Sequence, residues 1–304
     1  MPCTEHSRER GVTLIEMVIV ISITAIIAGA VSVFIGRPVE GYADAARRAE
    51  MSDIADTALR RMTRDVRTAL PNSIRITTVG SAYYLEYLET RTGGRYRSEV
   101  PAPATPTGPN TCPDLAPLDG TADENVLQFG AADTCFTSLG DVLGLGQIVP
   151  NSDFVVVYNL GPGSLNADAY ASGAVTGGNK SRITAVASVA GENVFSIESR
   201  TFTYASPGKR FHVVSGPVTY ECVPSPTGGQ LRRYWGYPIS ATQTPTPPAG
   251  GSNALLASNV AACSFTYATS GAAQRTGVVA LSLQIQQSGE SISLFQQVHV
   301  PNVP

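Results

Sequence analysis

The sequence predicts an α+β protein in which a long N-terminal α-helix packs on an antiparallel β-sheet head. Three observations indicate this class. The chain has an apolar run at 12–35, then an amphipathic helical pattern that ends at Leu70, and from Ile74 onward only short strand patterns separated by turns. Its 304 residues are enough to bury a sizeable core.

The composition excludes several classes of protein. Charged residues make up 15% of the chain, against roughly 25% in ordinary soluble domains, and the formal net charge is -3. This balance of charges gives the chain no excess of basic residues for binding nucleic acid, so we expect no nucleic-acid partner. The 29 glycines and 21 prolines follow no strict repeat, which excludes collagen and favours turn-rich β-structure.

The apolar run at 12–35 is long enough to cross a membrane. As a helix its 24 residues span about 36 Å, and Glu16 is its only charged residue. The run could be a plain membrane anchor or a cleaved secretory signal. In the second interpretation, the small residues at 28–30 are the cleavage site. Against a secretory signal, the leader has no net positive charge. A carboxylate in a membrane segment costs roughly 2.5–3.5 kcal/mol, so Glu16 favours a third, functional interpretation.

The segment GVTLIE at 11–16 resembles the class III signal of type IV prepilins. This resemblance implies that a prepilin peptidase cuts between Gly11 and Val12 and then N-methylates Val12. Glu16 stands fifth after the cut, as the family's glutamate does, and we expect it to act in subunit assembly. The departure is Val12, where the family usually has phenylalanine.

This interpretation divides the chain into a cleaved leader at 1–11, a transmembrane and filament-core helix at 12–36, an amphipathic helix at 37–71 and a periplasmic β-rich head at 72–304. In the amphipathic helix, apolar residues recur at intervals of three and four, which predicts one buried face. They are Met51, Ile54, Ala55, Ala58, Leu59, Met62, Val66 and Leu70. The charged residues between them are expected mainly to form a solvated face.

The head is predicted to be built from short strands. The candidates are 74–79, 83–88, 126–129, 154–158, 183–188, 194–197, 211–214, 218–223, 231–237, 260–267, 278–286 and 292–300. The last two alternate apolar and polar residues across a Ser-Gly-Glu turn, which predicts a hairpin with one buried face. Pro-rich loops are expected at 100–117 and 244–251.

The cysteines predict two disulfides. Removal of the leader removes Cys3 and leaves Cys112, Cys135, Cys222 and Cys263, an even number suited to a compartment outside the cytoplasm. Three connectivities are open. We favour Cys112–Cys135 and Cys222–Cys263, because Cys222 and Cys263 each share a strand face with large apolar residues. No pair has CxxC spacing, so no metal or other cofactor is expected.

Three further segments resemble the PilW-like and MSHA-biogenesis (MshO-like) minor pilins, and more distantly the GspJ-like minor pseudopilins of type II secretion. They are ALRRMTRDVRTALPNSIRI, LLASNVAACSFTY and the closing VHVPNVP. The resemblance implies a type IV pilin-like fold and a low-copy role in priming filament assembly, in a tip complex with other minor pilins. The major pilins of the filament are further partners that it implies. It also implies an inner-membrane assembly platform as partner. The expected location is the inner membrane of a Gram-negative bacterium, with a periplasmic head, and then the pilus or cell surface.

No catalytic motif stands out, so we expect no enzyme. The mature chain has two histidines: His299 is expected to be solvated and His212 to be hydrogen-bonded within a strand. Acidic residues in a loop at 114–124 do not have EF-hand spacing. A membrane-anchored binding protein or adhesin stays open as an alternative, using Trp235 with its neighbouring arginines and the Pro-rich loops.

Overall fold

The computed structural model describes residues 11–99, 126–171, 178–189, 191–243, 250–268 and 276–304. The first Pro-rich loop, most of the second, Cys112 and the acidic loop lie outside the described residues. The chain divides into two compact units, Met1–Glu50 and Met51–Pro304. An N-terminal apolar helix followed by antiparallel β-structure gives the α+β class that the sequence predicts.

The helix α1 (Leu14–Arg67) has 54 residues and contributes to both units. Within the second unit its apolar face is buried as the three-and-four spacing predicts. Met51, Ala55, Leu59, Met62 and Val66 are fully buried, and Ile54 is partly buried beside them. The hydrophobic contact of this stripe with the strands fixes the helix on the head.

The helix ends at Arg67, three residues before Leu70, where the helical pattern of the sequence ends. The next residues leave the helix because they pair with a strand. The Leu70 N–H donates to the Leu88 carbonyl, and the Thr90 N–H donates to the Thr68 carbonyl. The Thr68 hydroxyl bonds back to the Asp65 carbonyl and so satisfies one of the free groups at the helix end.

The described residues form twelve strands and one short 3₁₀ turn at Leu145–Gln147. The strands are β1 (Arg75–Val79), β2 (Ala82–Arg95), β3 (Asp133–Thr137), β4 (Phe154–Val157), β5 (Lys180–Val189), β6 (Glu192–Arg200), β7 (Arg210–Val223), β8 (Gln230–Trp235), β9 (Ser252–Ser258), β10 (Val260–Ala268), β11 (Thr276–Gln287) and β12 (Glu290–Pro301).

The strands form two antiparallel sheets. The larger has nine strands in the order β1-β2-β7-β4-β5-β6-β3, and β8 and β9 extend it from β7. Strand β7 pairs with two strands along the same edge: its residues 211–214 pair with β4, and its residues 218–223 pair with β8. The smaller sheet has the order β10-β11-β12.

The head contains separate hydrophobic cores. The largest brings residues 51–69 against β2, β7, β8 and the inner face of the smaller sheet, where Leu281 and Leu283 are fully buried. A second core lies among β3, β4, β5, β6 and β7. There Phe136, Phe195 and Phe211 contact one another with ring centroids 5.0–5.1 Å apart, the spacing of favourable aromatic pairs.

The predicted strands are reproduced with three differences. The candidate at 126–129 is wrong, because only Phe129 makes an isolated bridge, to Phe202. Two candidates at 211–214 and 218–223 are one continuous strand, β7. Strands β3 and β9 were not predicted: β3 is short, and β9 reads SNALLAS, which lacks apolar–polar alternation. Both owe their extended form to a paired neighbour, β6 and β8 respectively.

Candidate functional site

The start of α1 is organised by a reciprocal pair of residues. The helix begins at Leu14, so Thr13 is its N-cap and Glu16 is the third helical residue. Glu16 Oε2 accepts hydrogen bonds from the Thr13 N–H at 3.0 Å and from the Thr13 hydroxyl at 2.9 Å. The Glu16 N–H reaches the Thr13 hydroxyl oxygen at 3.4 Å. This is a capping box, which satisfies N–H groups that a helix start otherwise leaves free.

The capping box uses only one oxygen of the Glu16 carboxylate. Among the described residues, Glu16 Oε1 receives no hydrogen bond. The carboxylate therefore caps its own helix and keeps a second oxygen open to a donor from outside the chain.

The Gly11–Val12 bond precedes the helix. Neither residue belongs to a helix or strand, and Val12 is exposed. The space around Gly11 is open: a side-chain Cβ at this position would meet no atom within 4 Å. An exposed bond outside regular structure is one that a peptidase can reach.

The segment Leu14–Ser32 is long and apolar enough to cross a membrane, with a mean hydropathy of 2.5, and no part of it is buried within the chain. Two of its hydroxyl groups are hydrogen-bonded within the helix. The Ser22 hydroxyl donates to the Val18 carbonyl, and the Thr24 hydroxyl donates to the Val20 carbonyl. Such bonds suit an apolar environment, where a free hydroxyl is costly.

Glu16 was singled out from the sequence as a buried charge in need of a partner, and its partner within the chain was missed. The signal was present, because Thr-x-x-Glu directly before an apolar run is the pattern of a capping box.

One disulfide lies inside the largest hydrophobic core. Cys222 on β7 and Cys263 on β10 are joined by a disulfide, with their Cα atoms 6.6 Å apart. Both are buried, beside Tyr220 and Phe265, as the strand-face argument expected. The bond joins the larger sheet to the smaller one. Cys135 is also disulfide-bonded, and its predicted partner Cys112 lies outside the described residues.

A buried ionic cluster ties α1 to the larger sheet. Asp65 Oδ2 accepts from Arg233 Nε at 2.9 Å and from the Tyr220 hydroxyl at 2.7 Å. Arg233 also donates to Glu89 Oε1 at 3.0 Å. The Asp65 and Arg233 side chains are only 11% and 8% exposed. Burial and the Asp65 charge raise the pKa of Tyr220 far above its usual value, so its hydroxyl stays a donor.

This cluster gives the basic and aromatic residues at 232–235 a structural role. The Arg233 guanidinium lies 5.0 Å from the Trp235 ring centroid, a cation–π contact, and is held by the two carboxylates. Arg232 donates to Gln230 and Asn253 on its own and the adjacent strand. The aromatic patch suggested for a binding protein is therefore engaged within the fold.

A second buried cluster surrounds Glu86 on β2. Arg75 forms an ion pair with Glu86 and lies 3.7 Å from the ring centroid of Tyr170. The hydroxyls of Thr219 and Tyr237 also contact the Glu86 carboxylate. Burial raises the pKa of Glu86, and the Arg75 charge opposes that shift. Each polar group of this cluster has its partner in the fold, so it is a packed structural network.

The two histidines of the predicted mature chain lie on different strands, His212 on β7 and His299 on β12. His299 is exposed on β12, as predicted. The expectation that His212 is hydrogen-bonded is wrong for one ring nitrogen, since Nε2 is buried with no hydrogen-bond partner among the described residues. Burial, reinforced by Arg210, lowers the pKa of His212 to about 4. It is neutral at pH 7.

A shallow groove of about 320 Å³ lies between α1 and β9. It is lined by Thr57, Ala58, Arg60, Arg61, Arg64 and Leu256. Its charged groups are all arginines, which supply neither a nucleophile nor a general base near pH 7. Within the described ranges, no three His, Cys, Asp or Glu side chains are grouped so that they could hold a metal ion.

A family profile described as "Prokaryotic N-terminal methylation motif" matches residues 6–32. Comparison with curated proteins and with solved structures finds no match. The motif and the apolar helix together support a type IV pilin-like or pseudopilin-like protein, and they point to a structural protein rather than an enzyme. The motif implies processing by prepilin peptidase and interaction with pilus components, and it is consistent with an inner-membrane anchor in bacteria.

Proposed function

We propose that this chain is a minor pilin that takes part in initiating assembly of an MSHA-like type IV pilus. One observation carries the proposal. An exposed Gly11–Val12 bond directly precedes the capped, exposed apolar segment Leu14–Ser32 of α1, whose only charge is Glu16. In this proposal the peptidase reaches the bond because it lies outside the helix. The apolar helix behind it occupies first the inner membrane and then the filament core.

Glu16 has two tasks in this proposal. Its Oε2 keeps the first turn of α1 ordered through Thr13. After cleavage, Oε1 accepts from the Val12 amine of an adjacent subunit, a charge-assisted bond that is strong in an apolar surrounding. The pair guides each incoming subunit into register with its neighbour, and the apolar side chains of the helix then pack around it.

Processing is tested by mass spectrometry of the mature N-terminus. We expect a chain that begins at N-methylated Val12, and the same chain uncut in a strain without the prepilin peptidase. A mature start at Val31, which a secretory peptidase would produce after 28–30, refutes the pilin assignment.

The two tasks of Glu16 are separated by a matched pair of variants. Glu16→Leu removes both the cap and the charge, whereas Glu16→Gln keeps a capping side chain and removes only the charge. We expect both variants to be cleaved and membrane-inserted and both to abolish piliation. Breaking a buried charge pair costs about 3–5 kcal/mol, more than a cap. Normal piliation with Glu16→Gln would show that the cap alone matters.

The pilus assignment is distinguished by phenotype from the alternative that is nearest to it in mechanism. A GspJ-like minor pseudopilin of type II secretion would carry the same signal, but its deletion would stop protein secretion and leave surface pili. We expect deletion of this chain to remove pili. We also expect quantitative proteomics of sheared pili to find few copies beside the major pilin. A chain that forms the bulk of the filament contradicts the initiation role.

A further inference from the structure

The outer face of the smaller sheet carries no Asp, Glu, Lys or Arg. The register of β10, β11 and β12 places sixteen side chains on this face, opposite the buried inner face. They are Ala262, Ser264, Thr266, Ala268, Thr276, Val278, Ala280, Ser282, Gln284, Gln286, Ser291, Ser293, Phe295, Gln297, His299 and Pro301. All are exposed or half-exposed. We call this surface the uncharged face. Solvated surfaces normally mix charges of both signs, so this one is built to be covered.

The uncharged face ends at an open strand edge. Strand β12 pairs with β11 over twelve residues without a bulge, and in the described part of the chain no strand pairs with its other side. Every second residue of β12 therefore presents a backbone N–H or C=O outward. Proteins usually protect such edges with lysine, proline or a bulge. Strand β12 has no lysine and no bulge, and its single proline, Pro301, is its last residue.

A large apolar side chain lies at the middle of this edge. Phe295 is 61% exposed and stands on the uncharged face at the centre of β12. The other outer edges of the described sheets are shorter: five residues in β1, five in β3, seven in β9 and nine in β10. Edge length, missing charge and an exposed aromatic ring thus coincide at one place.

We propose that β12 binds an extended, uncharged β-strand of a different filament subunit, which adds to the sheet beside β12 and covers Phe295. This inference rests on the proposed function, since it takes the partner from the filament. The open backbone groups recognise an extended main chain, and the uncharged face requires a partner strand of small, polar and apolar side chains.

The structure disfavours a second copy of this chain as the occupant. Antiparallel pairing of two β12 edges places a two-fold axis perpendicular to the sheet. Such an axis reverses the direction of residues 51–67, the part of α1 that packs on the sheet. Heads that share one direction in a filament are not related by such an axis, so antiparallel pairing of two β12 edges does not fit, and we take a different chain as the partner.

The test replaces Phe295 by the photo-crosslinking residue p-benzoylphenylalanine in the full chain, in the native piliated strain. After irradiation, we expect one adduct, with a different protein that carries an N-terminal methylation motif, mapped by mass spectrometry to an uncharged strand. The control position is Leu143, in the loop before the 3₁₀ turn, which is 88% exposed. An adduct with a second copy, with a protein lacking the motif, or no adduct above the Leu143 level overturns the proposal.

A charge variant supplies the second measurement. Ser293→Lys with Gln297→Lys places two cations beside the edge at exposed positions, and we expect the Phe295 adduct to fall at least tenfold. The matched control, Thr266→Lys, places a cation on the same face of β10 and should lower the adduct less than twofold. Equal effects of both variants overturn the edge as the binding site.

Two further measurements on the same samples distinguish a failure of this inference from a failure of the proposed function. The Cys222–Cys263 disulfide, read by non-reducing peptide mapping, reports that each variant head has folded. The mature N-terminus reports whether the chain is processed as a pilin. A chain that starts at Val12 but gives no Phe295 adduct refutes the strand proposal and leaves the pilin assignment standing.

Discussion

The ionic cluster between α1 and the larger sheet offers the sharpest test of what holds the helix on the head. Asp65→Asn keeps the shape of the side chain and removes the charge that Arg233 and Tyr220 share. Removing one partner of a buried pair costs about 3–5 kcal/mol, because the remaining charge stays buried. Arg233 keeps Glu89 at 3.0 Å. We therefore expect the lower end, a loss of about 3 kcal/mol in the free energy of unfolding.

The same helix provides a matched control. Asp56 forms an ion pair with Arg60 one turn away, and these side chains are 37% and 74% exposed. An exposed pair of this kind contributes about 0.3–0.5 kcal/mol, so Asp56→Asn should be almost neutral. The two variants make the same chemical change on one helix and differ in burial.

Urea unfolding of the full chain in mild detergent measures both variants. The single tryptophan, Trp235, lies against the Arg233 guanidinium, so its fluorescence reports this region directly. Equal midpoints for Asp65→Asn and Asp56→Asn would refute the argument that the buried cluster holds the helix. A double variant with Arg233→Met should cost less than the sum of the two single variants, because they share one interaction.

Three further changes test the packing of the head. Cys222→Ala with Cys263→Ala opens a loop of 41 residues and should lower the free energy of unfolding by about 4 kcal/mol, measured in urea under non-reducing conditions. His212 has a folded pKa of about 4, below the unfolded 6.5, so the unfolded chain binds the proton first and stability falls between about pH 6.5 and pH 4. The unsubstituted chain should therefore lose up to about 3 kcal/mol in its free energy of unfolding that the His212→Gln variant does not lose. Unfolding of both proteins at pH 7 and at pH 4.5 measures this difference. Gly229→Ala should cost at least about 2 kcal/mol because its Cβ would lie 2.0 Å from the Val260 carbonyl oxygen, whereas Gly146→Ala meets open space and should be neutral.

The features that the sequence predicts well are local ones. The pattern at 11–16 and the three-and-four spacing of the apolar residues in α1 each involve neighbours within one or two turns, so they can be recognised without a partner. The last hairpin is predicted for the same reason, since a short turn joins β11 and β12. The failures are strands that depend on distant pairing. Residues 126–129 are rich in strand-forming residues but pair with no strand beyond one bridge at Phe129, while β9 lacks alternation and is held by β8.

The sequence by itself determined the α+β class, the apolar segment with its single carboxylate, the N-terminal methylation motif and the buried face of the second half of α1. Tertiary structure alone decided which charges are buried. Asp65 and Arg233 belong to segments that read as solvated, yet they meet across 168 positions of sequence because helix and sheet stack there. It also decided the uncharged face, which exists only when the register of three strands brings sixteen separate positions together. Sequence patterns describe what each segment prefers, and only the packed chain shows which segments face each other.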